Sequence, residues 1–308
     1  MNRIDVTIVV ISWNTRQMTH DCLRSVYDNL GDLPAEVILV DNNSADGSAE
    51  MVAADFPQAI LIRNADNRGF AAANNQGFVI ARGRHILLLN SDTLIHGDVI
   101  QRSVAYLDQH PTVGAMGCRV LNTDGSVQLT CGQFPTLFNL FLQATALKKL
   151  AWPRFFGRQE MSHWARDSER PVDTITGCYL MLRREVMDDV GMLDEDFFFF
   201  GEETDWCRRM RDAGWGVMFA PVGQITHHGS VSARKHNHKR DVMLSNAIVR
   251  LHRKHGGPVA AALAWAIVFS FNASRALVWR MVATLGKVDG AKERAEHFRK
   301  VAADSMDG

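Results

Sequence analysis

Residues Glu36 to Ser44 read Glu-Val-Ile-Leu-Val-Asp-Asn-Asn-Ser, an apolar, mostly β-branched run that stops abruptly in an acid, two amides and a hydroxyl. Such a run, closed by the turn-forming sequence Asn-Asn-Ser-Ala-Asp-Gly, predicts a strand followed by a helix start near Ser48. The pattern repeats on both sides of it. Val6 to Ser12, Ala59 to Arg63 and His85 to Leu89 read as further strands, separated by helix-length segments. Met18 to Leu30 places Cys22, Val26 and Leu30 at helical spacing, and Ser48 to Phe56 predicts a second helix. Strand and helix in alternation predict a parallel sheet with right-handed crossovers. Ligands of such sheets bind beyond the carboxyl ends of the strands, so the residues that decide function are those just after each apolar run.

The chain has 308 residues, 46% of them hydrophobic, which supports a sizeable core and exceeds what one simple domain requires. Lys plus Arg and Asp plus Glu both number 34, so no global field draws the protein to nucleic acid or to an anionic membrane, and anion binding has to be local. Cys22, Cys118, Cys131, Cys178 and Cys207 are odd in number and include no C-x-x-C pair. That usage fits a reducing cytosol better than a disulfide framework or a structural zinc site. The N-terminus opens directly on a strand and lacks a signal-peptide pattern, so a cytoplasmic location is expected. The longest apolar stretch, Val259 to Phe271, is shorter than the roughly 20 residues of a spanning helix, and Asn272, Arg275 and Arg280 interrupt its continuation. It is expected to lie on a membrane at most, not to cross one.

Thr136 to Phe156, rich in Phe, Leu and Trp without strand-like alternation, reads as a helical insertion. Val172 to Val231 forms a second block, with a strand, a helix around Arg184 to Val190, a helix start at Gly201 to Asp205 and a last strand near Val217 to Phe219. Asp241 to His255 and Gly257 to Leu285 read as helices, and the tail from Asp289 is charged and amphipathic.

Asp41, at the end of its strand, suits hydrogen bonds from a nucleobase or ribose, and equally suits an Asx turn that caps the next helix. His85 to Leu89 runs into Asn90-Ser91-Asp92, which sets two oxygen-bearing side chains two residues apart. Two buried strands that both end in carboxylates concentrate negative charge, a costly arrangement without a cation or ligand. Mg2+ or Mn2+, held by one or two carboxylates and completed by substrate phosphates, resolves it. Between these strands Asn67-Arg68-Gly69 opens a stretch that runs through Asn74 to Gly77. It offers close backbone approach and an arginine fork for phosphate, and reads equally as an Ala-rich helix with a glycine at each end. Neither a Walker loop nor G-x-G-x-x-G is present, which argues against an ATPase and a dinucleotide-binding dehydrogenase. Asp194 to Asp196, Phe197 to Phe200 and Gly201-Glu202-Glu203-Thr204-Asp205 set acids beside phenylalanines. That setting raises a carboxylate pKa and makes a general base; the alternative is an acidic helix start over a phenylalanine core. His227-His228 suits a metal shell or a phosphate, against the commoner case of a surface histidine, and Arg234 to Arg240 is a basic run suited to phosphates or to a solvated loop.

These motifs, in this order, resemble those of the family 2 inverting glycosyltransferases of the GT-A fold, and within them the rhamnosyltransferase-like members that build bacterial polysaccharides. The resemblance runs from Val6 to about Ser232. Its carriers are Val-Val-Ile-Ser-Trp-Asn ending at Asn14, Val-Asp-Asn-Asn-Ser-Ala-Asp-Gly from Val40, Asn-Arg-Gly-Phe-Ala-Ala-Ala-Asn-Asn from Asn67 and Leu-Leu-Asn-Ser-Asp-Thr from Leu88. Thr176-Gly177-Cys178 through Arg183-Arg184, and the block from Val190 to Arg209, complete it. The implied architecture is α/β, a Rossmann-like mixed sheet flanked by helices with a C-terminal helical extension. A catalytic domain would span 1–235, with a nucleotide-binding half at 1–115 and an acceptor half at 116–235 that carries the insertion near 136–156. A helical region would span 236–308.

The resemblance implies that Asp41 contacts the nucleoside, within a donor-binding set of Asn14, Asp41, Asn67, Arg68, Gly69, Asn74, Ser91 and Asp92. Asn90-Ser91-Asp92 stands where the family has its D-x-D metal motif, so Asp92 would be the principal ligand of Mg2+ or Mn2+. Asn90 departs from the pattern and would act through its carbonyl or through water. His227 resembles the family's late histidine and would join the metal shell or face the diphosphate, with His228 as the fallback. Glu202-Glu203 stands for the family's Glu-Asp pair: Glu203 would take the proton of an acceptor hydroxyl as that oxygen attacks the anomeric carbon and inverts it, with Glu202 next in line. The implied partners are a nucleotide-diphosphate sugar, dTDP-rhamnose first and a UDP-sugar second, and a polysaccharide or lipid-linked glycan acceptor in cell-surface biosynthesis.

Two rivals are weaker. A sugar nucleotidyltransferase would carry a Gly-rich basic loop where this chain has Ser12-Trp13-Asn14-Thr15, and an inactive membrane-docking scaffold would not need Asp41, Asp92 and Glu203 together. Residues 258–285 mix Trp265, Phe269, Phe271 and Trp279 with Arg275 and Arg280. That mixture suits peripheral contact with the inner membrane face, and equally suits packing on the catalytic domain or on a second copy in a homo-oligomer.

Overall fold

The computed structural model describes residues 3–145, 153–229, 237–286 and 288–305. Part of the insertion near 136–156, and the basic run from Arg234 to His236, lie outside the described residues. The described residues fall into two compact units, one within 1–133, 164–198 and 202–229, the other within 134–163, 199–201 and 230–308.

In the first unit β1 (Val6–Ser12), α1 (Arg16–Asn29), β2 (Ala35–Asp41), α2 (Ser48–Asp55), β3 (Ile60–Arg63), α3 (Phe70–Ile80) and β4 (His85–Asn90) alternate as the apolar runs predict. β1 pairs in parallel with β2 and β4, and β2 with β3. The chain continues through β5 (Thr93–Ile95), α4 (Val99–Gln109), β6 (Val113–Leu121) and β7 (Cys131–Gly132). Two helices of the second unit intervene, α5 (Leu137–Ala144) and α6 (Pro153–Phe156). Next come β8 (Arg170–Pro171), β9 (Thr174–Ile175), β10 (Tyr179–Arg183), α7 (Arg184–Val190), α8 (Glu202–Asp212) and β11 (Gly216–His227), before α9 (His238–Thr284) and α10 (Ala291–Asp304).

Among the described residues one mixed sheet has the order β3-β2-β1-β4-β10-β6-β11-β5, with β8 paired to β11, and β7 and β9 form a separate ribbon. The parallel expectation holds for the first four strands and again where β11 pairs with β6, but not throughout the sheet. β10 enters between β4 and β6 antiparallel to both. Its sequence, Tyr-Leu-Met-Leu-Arg, is buried in its first four residues, and an apolar run carries no mark of direction.

Both faces of the central strands are covered. Ile8, Val10, Leu39 and Leu87 join Cys22, Leu23 and Val26 of α1 and Met51 and Val52 of α2 in the main apolar cluster. Phe78 of α3 stacks on Trp206 of α8 with ring centroids 5.4 Å apart. Each fully buried aliphatic or aromatic side chain of this kind contributes roughly 1.5–3 kcal/mol. At the amino end of the sheet the buried Glu36 carboxylate accepts from Thr7 Oγ1 (2.6 Å) and from Arg82 N, Nε and a terminal guanidinium nitrogen. Burial works to raise its pKa, but these bonds prevail and hold it below the usual carboxylate range. At the opposite end the register sets Ser12 beside Asp41 and Ile11 beside Asn90, so the polar residues that close β1, β2 and β4 form one row.

In the second unit α9 is interrupted at Gly257 (φ 78°), just before Pro258, so its 47 residues form two helical segments, as the sequence predicts. Proline is favoured in the first helical turn and glycine at a helix end, which explains the break. α10 is fastened to α9 by His297–Asp241 (2.9 Å) and His238–Asp304 (2.6 Å) hydrogen bonds and by Arg294 over the Trp279 ring. By length and composition alone α9 contains a segment apolar enough to cross a membrane, little of it buried. The expectation of an apolar run too short to span took the run to end at Phe271. The helix instead carries on through Asn272, which is buried and turns its amide onto the Val268 carbonyl, and Arg275, which lies over the Phe271 ring.

Candidate active site

Asp41 closes β2 with 3% of its surface exposed. Its Oδ2 accepts from Ser44 N (3.0 Å), the Asx turn that the sequence allows, while its Oδ1 is buried and has no partner among the described residues. The turn and the ligand reading therefore use different oxygens, and a donor N–H or hydroxyl is what the second oxygen lacks. Asn14 (φ 53°) ties the first loop to the next: its N–H donates to Ser44 Oγ (3.0 Å) and its Oδ1 accepts from Ala45 N (2.8 Å). Ser12, Thr15, Thr19 and Ser91 form a chain of hydroxyls that links β1 and α1 to the residue after β4, with Thr15 Oγ1 and Ser91 Oγ 3.2 Å apart.

Asn42, for which the sequence offers no role, organises the segment after β3. Its Nδ2 donates to Asn67 Oδ1 (2.8 Å) and to the Gly69 carbonyl (3.2 Å), and its Oδ1 accepts from Arg68 N (3.0 Å) and Asn64 Nδ2 (3.0 Å). The Arg68 side chain is exposed. Gly69 has φ 82°, and a Cβ there would stand 2.6 Å from the Phe198 carbonyl oxygen, which accepts from Phe70 N (2.8 Å). No residue but glycine suits that position. The Ala-rich helix reading of 70–80 is realised as α3. Asn74, placed in the donor-binding set, is sealed inside it with its amide on the Phe70 carbonyl and its Oδ1 unpartnered.

Asp92 and His227 meet although 135 positions separate them, because β11 pairs antiparallel with β5 and aligns His227 with Thr93. His227 Nε2 lies 3.1 Å from Asp92 Oδ1 and 3.4 Å from Asn90 Nδ2, and His227 Nδ1 lies 2.6 Å from Gln128 Oε1. His228 joins only through its backbone, which donates to the Asp92 carbonyl (2.9 Å). Among the described residues no group of three or more His, Cys, Asp or Glu side chains is arranged to hold a metal ion. The pair still fits one. A carboxylate oxygen and an imidazole nitrogen side by side are two ligand atoms, and a divalent ion held by so few protein groups completes its shell with water and substrate phosphates.

Glu203, in the first turn of α8, is half-buried, and Glu202 beside it is buried. Glu203 Oε1 accepts from Gly177 N (2.8 Å), the residue that leads into β10. A Cβ on Gly177 would stand 2.6 Å from that oxygen and 3.0 Å from both Leu88 and Phe70. Burial raises the Glu203 pKa, and the Gly177 bond opposes that shift without cancelling it. The apolar wall beside this acid thus includes Leu88 and Phe70. Of the run expected to supply it, Phe197 is core, whereas Phe198 and Phe199 are 51% and 42% exposed. Burial also pushes the Cys178 thiol up to about 12, and the Asp92 and Glu203 carboxylates add to that rise. Cys178 therefore lies close enough to feel both. The row at the carboxyl ends of β1, β2 and β4 and the acid at the start of α8 are gathered around one edge of the sheet.

Comparison with known proteins bears on the fold and the family. The family model for glycosyl transferase family 2 matches residues 7–191. An N-acetylglucosaminyl-diphospho-decaprenol L-rhamnosyltransferase of Mycobacterium tuberculosis is 27% identical over 257 residues, which cover 76% of this chain and 80% of the relative. Among solved structures, the mannosyltransferase PcManGT from Pyrobaculum calidifontis, in complex with GDP-Man and Mn2+, superposes with a TM-score of 0.57 at 17% identity, covering 99% of this chain and 88% of that one. The enzyme GalNAc-T7 with UDP, GalNAc and Mn2+ superposes with a TM-score of 0.57 at 14% identity, covering 80% of this chain and 48% of that one. The two structures share its fold, and with a family model that spans more than half of its residues, the chain belongs to glycosyl transferase family 2.

Proposed function

We propose that this protein is an inverting, metal-dependent rhamnosyltransferase that carries rhamnose from dTDP-rhamnose to a lipid-linked glycan, at the inner face of the cytoplasmic membrane. The observation that supports it most is the meeting of Asp92 and His227 in the same row as the unpartnered Asp41 oxygen. A nucleoside diphosphate needs both ends of such a row. Asp41 Oδ1 accepts from the base or ribose, and the Asn67–Gly69 segment, held by Asn42, lines the donor with Arg68 free to reach phosphate. Ser91 and Asn14 hold the loops that frame it. Asn74 supports that segment from within α3 rather than meeting the donor.

Asp92 and His227, with Asn90 beside them, would hold Mg2+ or Mn2+, which supplies positive charge where the departing diphosphate becomes more negative. Glu203, open enough to meet an acceptor hydroxyl, takes its proton while that oxygen attacks the anomeric carbon from the side opposite the diphosphate, and one displacement inverts the centre. Glu202 is too enclosed for that task. The relative from Mycobacterium tuberculosis, whose name specifies rhamnosyl transfer and an N-acetylglucosaminyl-diphospho-decaprenol, supports rhamnose as the sugar moved and a lipid-linked glycan as the acceptor.

Calorimetric binding of dTDP-rhamnose and of UDP-sugars, with Mn2+ and after chelation, tests the reading. dTDP-rhamnose should bind at least tenfold more tightly with Mn2+ than without. Equal affinity in chelator would remove the ion from the scheme, and tighter binding of a UDP-sugar would overturn the donor.

A further inference from the structure

We propose that Gln128 is a positioning residue that fixes the tautomer of His227, and through it the ability of the Asp92–His227 pair to accept a divalent cation. The inference rests on the metal reading of that pair and extends it to a side chain the sequence motifs do not mark.

Gln128 belongs to a chain of hydrogen bonds whose direction is set at its far end. After β6 the backbone turns through Asn122 to Ser126, with Asn122 N donating to the Ser126 carbonyl (2.8 Å), and Leu121 bridges to Val127. In that turn Ser126 Oγ donates to Asp124 Oδ1 (2.6 Å), and an ionised carboxylate has no proton to give back. Ser126 Oγ is thereby an acceptor for Asn122 Nδ2 (2.9 Å). Asn122 then presents Oδ1 to Gln128 Nε2 (2.9 Å), and Gln128 presents Oε1 to His227 Nδ1 (2.6 Å). An amide oxygen only accepts, so Nδ1 carries the proton. The lone pair of neutral His227 is left on Nε2, 3.1 Å from Asp92 Oδ1, and the Asn90 amide at 3.4 Å donates toward the same atom. In the neutral ring these are two acceptors, whose repulsion is relieved either by a second proton on Nε2 or by a cation that lies against both. Asp124 through Gln128 therefore hold the imidazole in the one neutral form whose free nitrogen faces the carboxylate, as partners of metal-binding histidines commonly do.

Three variants of the full chain test this: Gln128→Leu, which removes the acceptor; Gln128→Glu, which keeps an acceptor at Nδ1; and Asp124→Ala, on the exposed turn remote from His227. Long-range proton–nitrogen NMR of the metal-free proteins, at a pH high enough for the ring to be neutral, should show His227 as the Nδ1–H form in wild type and Gln128→Glu, shifted toward Nε2–H in Gln128→Leu and partly so in Asp124→Ala. Mn2+ affinity in the presence of dTDP, read by electron paramagnetic resonance, should fall by about 10- to 100-fold in Gln128→Leu and recover in Gln128→Glu. An unchanged tautomer in Gln128→Leu would overturn the proposal. So would unchanged Mn2+ affinity in that variant. If wild type shows the expected tautomer but binds no Mn2+, the metal reading of the site fails while the assignment of the His227 proton stands, so the two failures are distinguishable.

Discussion

As the proposed base Glu203 would have to be ionised to accept a proton, yet its surroundings resist ionisation, and the two demands give opposite signs with pH. Burial raises its pKa in the folded protein above the unfolded value. The folded state thus binds a proton that the unfolded state releases, and the resulting stability is complete below the unfolded pKa and is lost as pH rises through the folded one. Transfer should show the reverse, rising with pH through that raised value, because only the carboxylate can act as base. Glu203→Gln separates them. The variant should lose about 10²- to 10⁴-fold in kcat, keep its donor affinity, and be more stabilised relative to wild type at pH 7 than at pH 4. Rate–pH profiles and denaturant midpoints at both pH values provide the check; full turnover in the variant would move the base elsewhere. At this scale the sequence marks the residue types well, since Asp41, Asp92, Glu203 and His227 all lie at, or next to, an end of an element. It does not mark which atom does what. Asp41 reads as turn or ligand, and only the folded chain reveals that each reading has its own oxygen.

The segment between β3 and α3 shows what an element must satisfy to present such atoms. Gly69 lies where φ is 82° and ψ is 177°, a region essentially reserved for glycine, with the Phe198 carbonyl where a side chain would begin. Gly69→Ala should cost about 1–3 kcal/mol of stability from backbone conformation alone. It should also displace the Asn67–Gly69 segment that Asn42 holds, weakening dTDP-rhamnose binding by at least tenfold. Thermal unfolding and calorimetry on the same sample check both effects, and wild-type donor affinity in the variant would show that the segment does not line the donor. The strands and helices of the first half are legible from sequence because each apolar run is bounded by a turn and each helix shows its period. The antiparallel entry of β10 is not legible in its residues, since a fully buried strand reads the same in either direction. Gln128 is invisible for a related reason. It meets His227 99 positions away, through the pairing of β6 with β11, and a lone glutamine after a turn has no pattern that points to such a partner.

At the scale of the whole molecule the question is how an enzyme with 34 basic and 34 acidic residues would meet the lipid-linked acceptor proposed for it. Without net charge, long-range attraction to anionic headgroups is weak, so attachment has to come from apolar surface. The second unit has such a surface: Leu277, Met281 and Leu285 succeed one another at four-residue spacing and are 62%, 67% and 68% exposed, with Val278 beside them at 57%. Inserting three such side chains into the headgroup boundary supplies on the order of 4 kcal/mol before the cost of immobilisation. The sequence pattern locates this region but ends its apolar run at Phe271, because the polar residues beyond interrupt it on paper. In the helix they are absorbed, Asn272 by the Val268 carbonyl and Arg275 by the Phe271 ring. The expectation is that the full chain floats with liposomes of neutral phosphatidylcholine as well as with anionic ones, at low and at high salt, and that Leu277→Glu, Met281→Glu and Leu285→Glu combined abolish flotation. Because these positions are already in solvent, the triple variant should keep its unfolding midpoint and its donor affinity, so that a loss of flotation reports on the surface rather than on the fold. Flotation that needs anionic lipid and disappears in salt would mean charge, not apolar contact, holds the protein to the membrane. A wild type that stays with the soluble fraction under every condition would leave the stripe to a second subunit, and a concentration-dependent dimer lost in the same triple variant would be its signature.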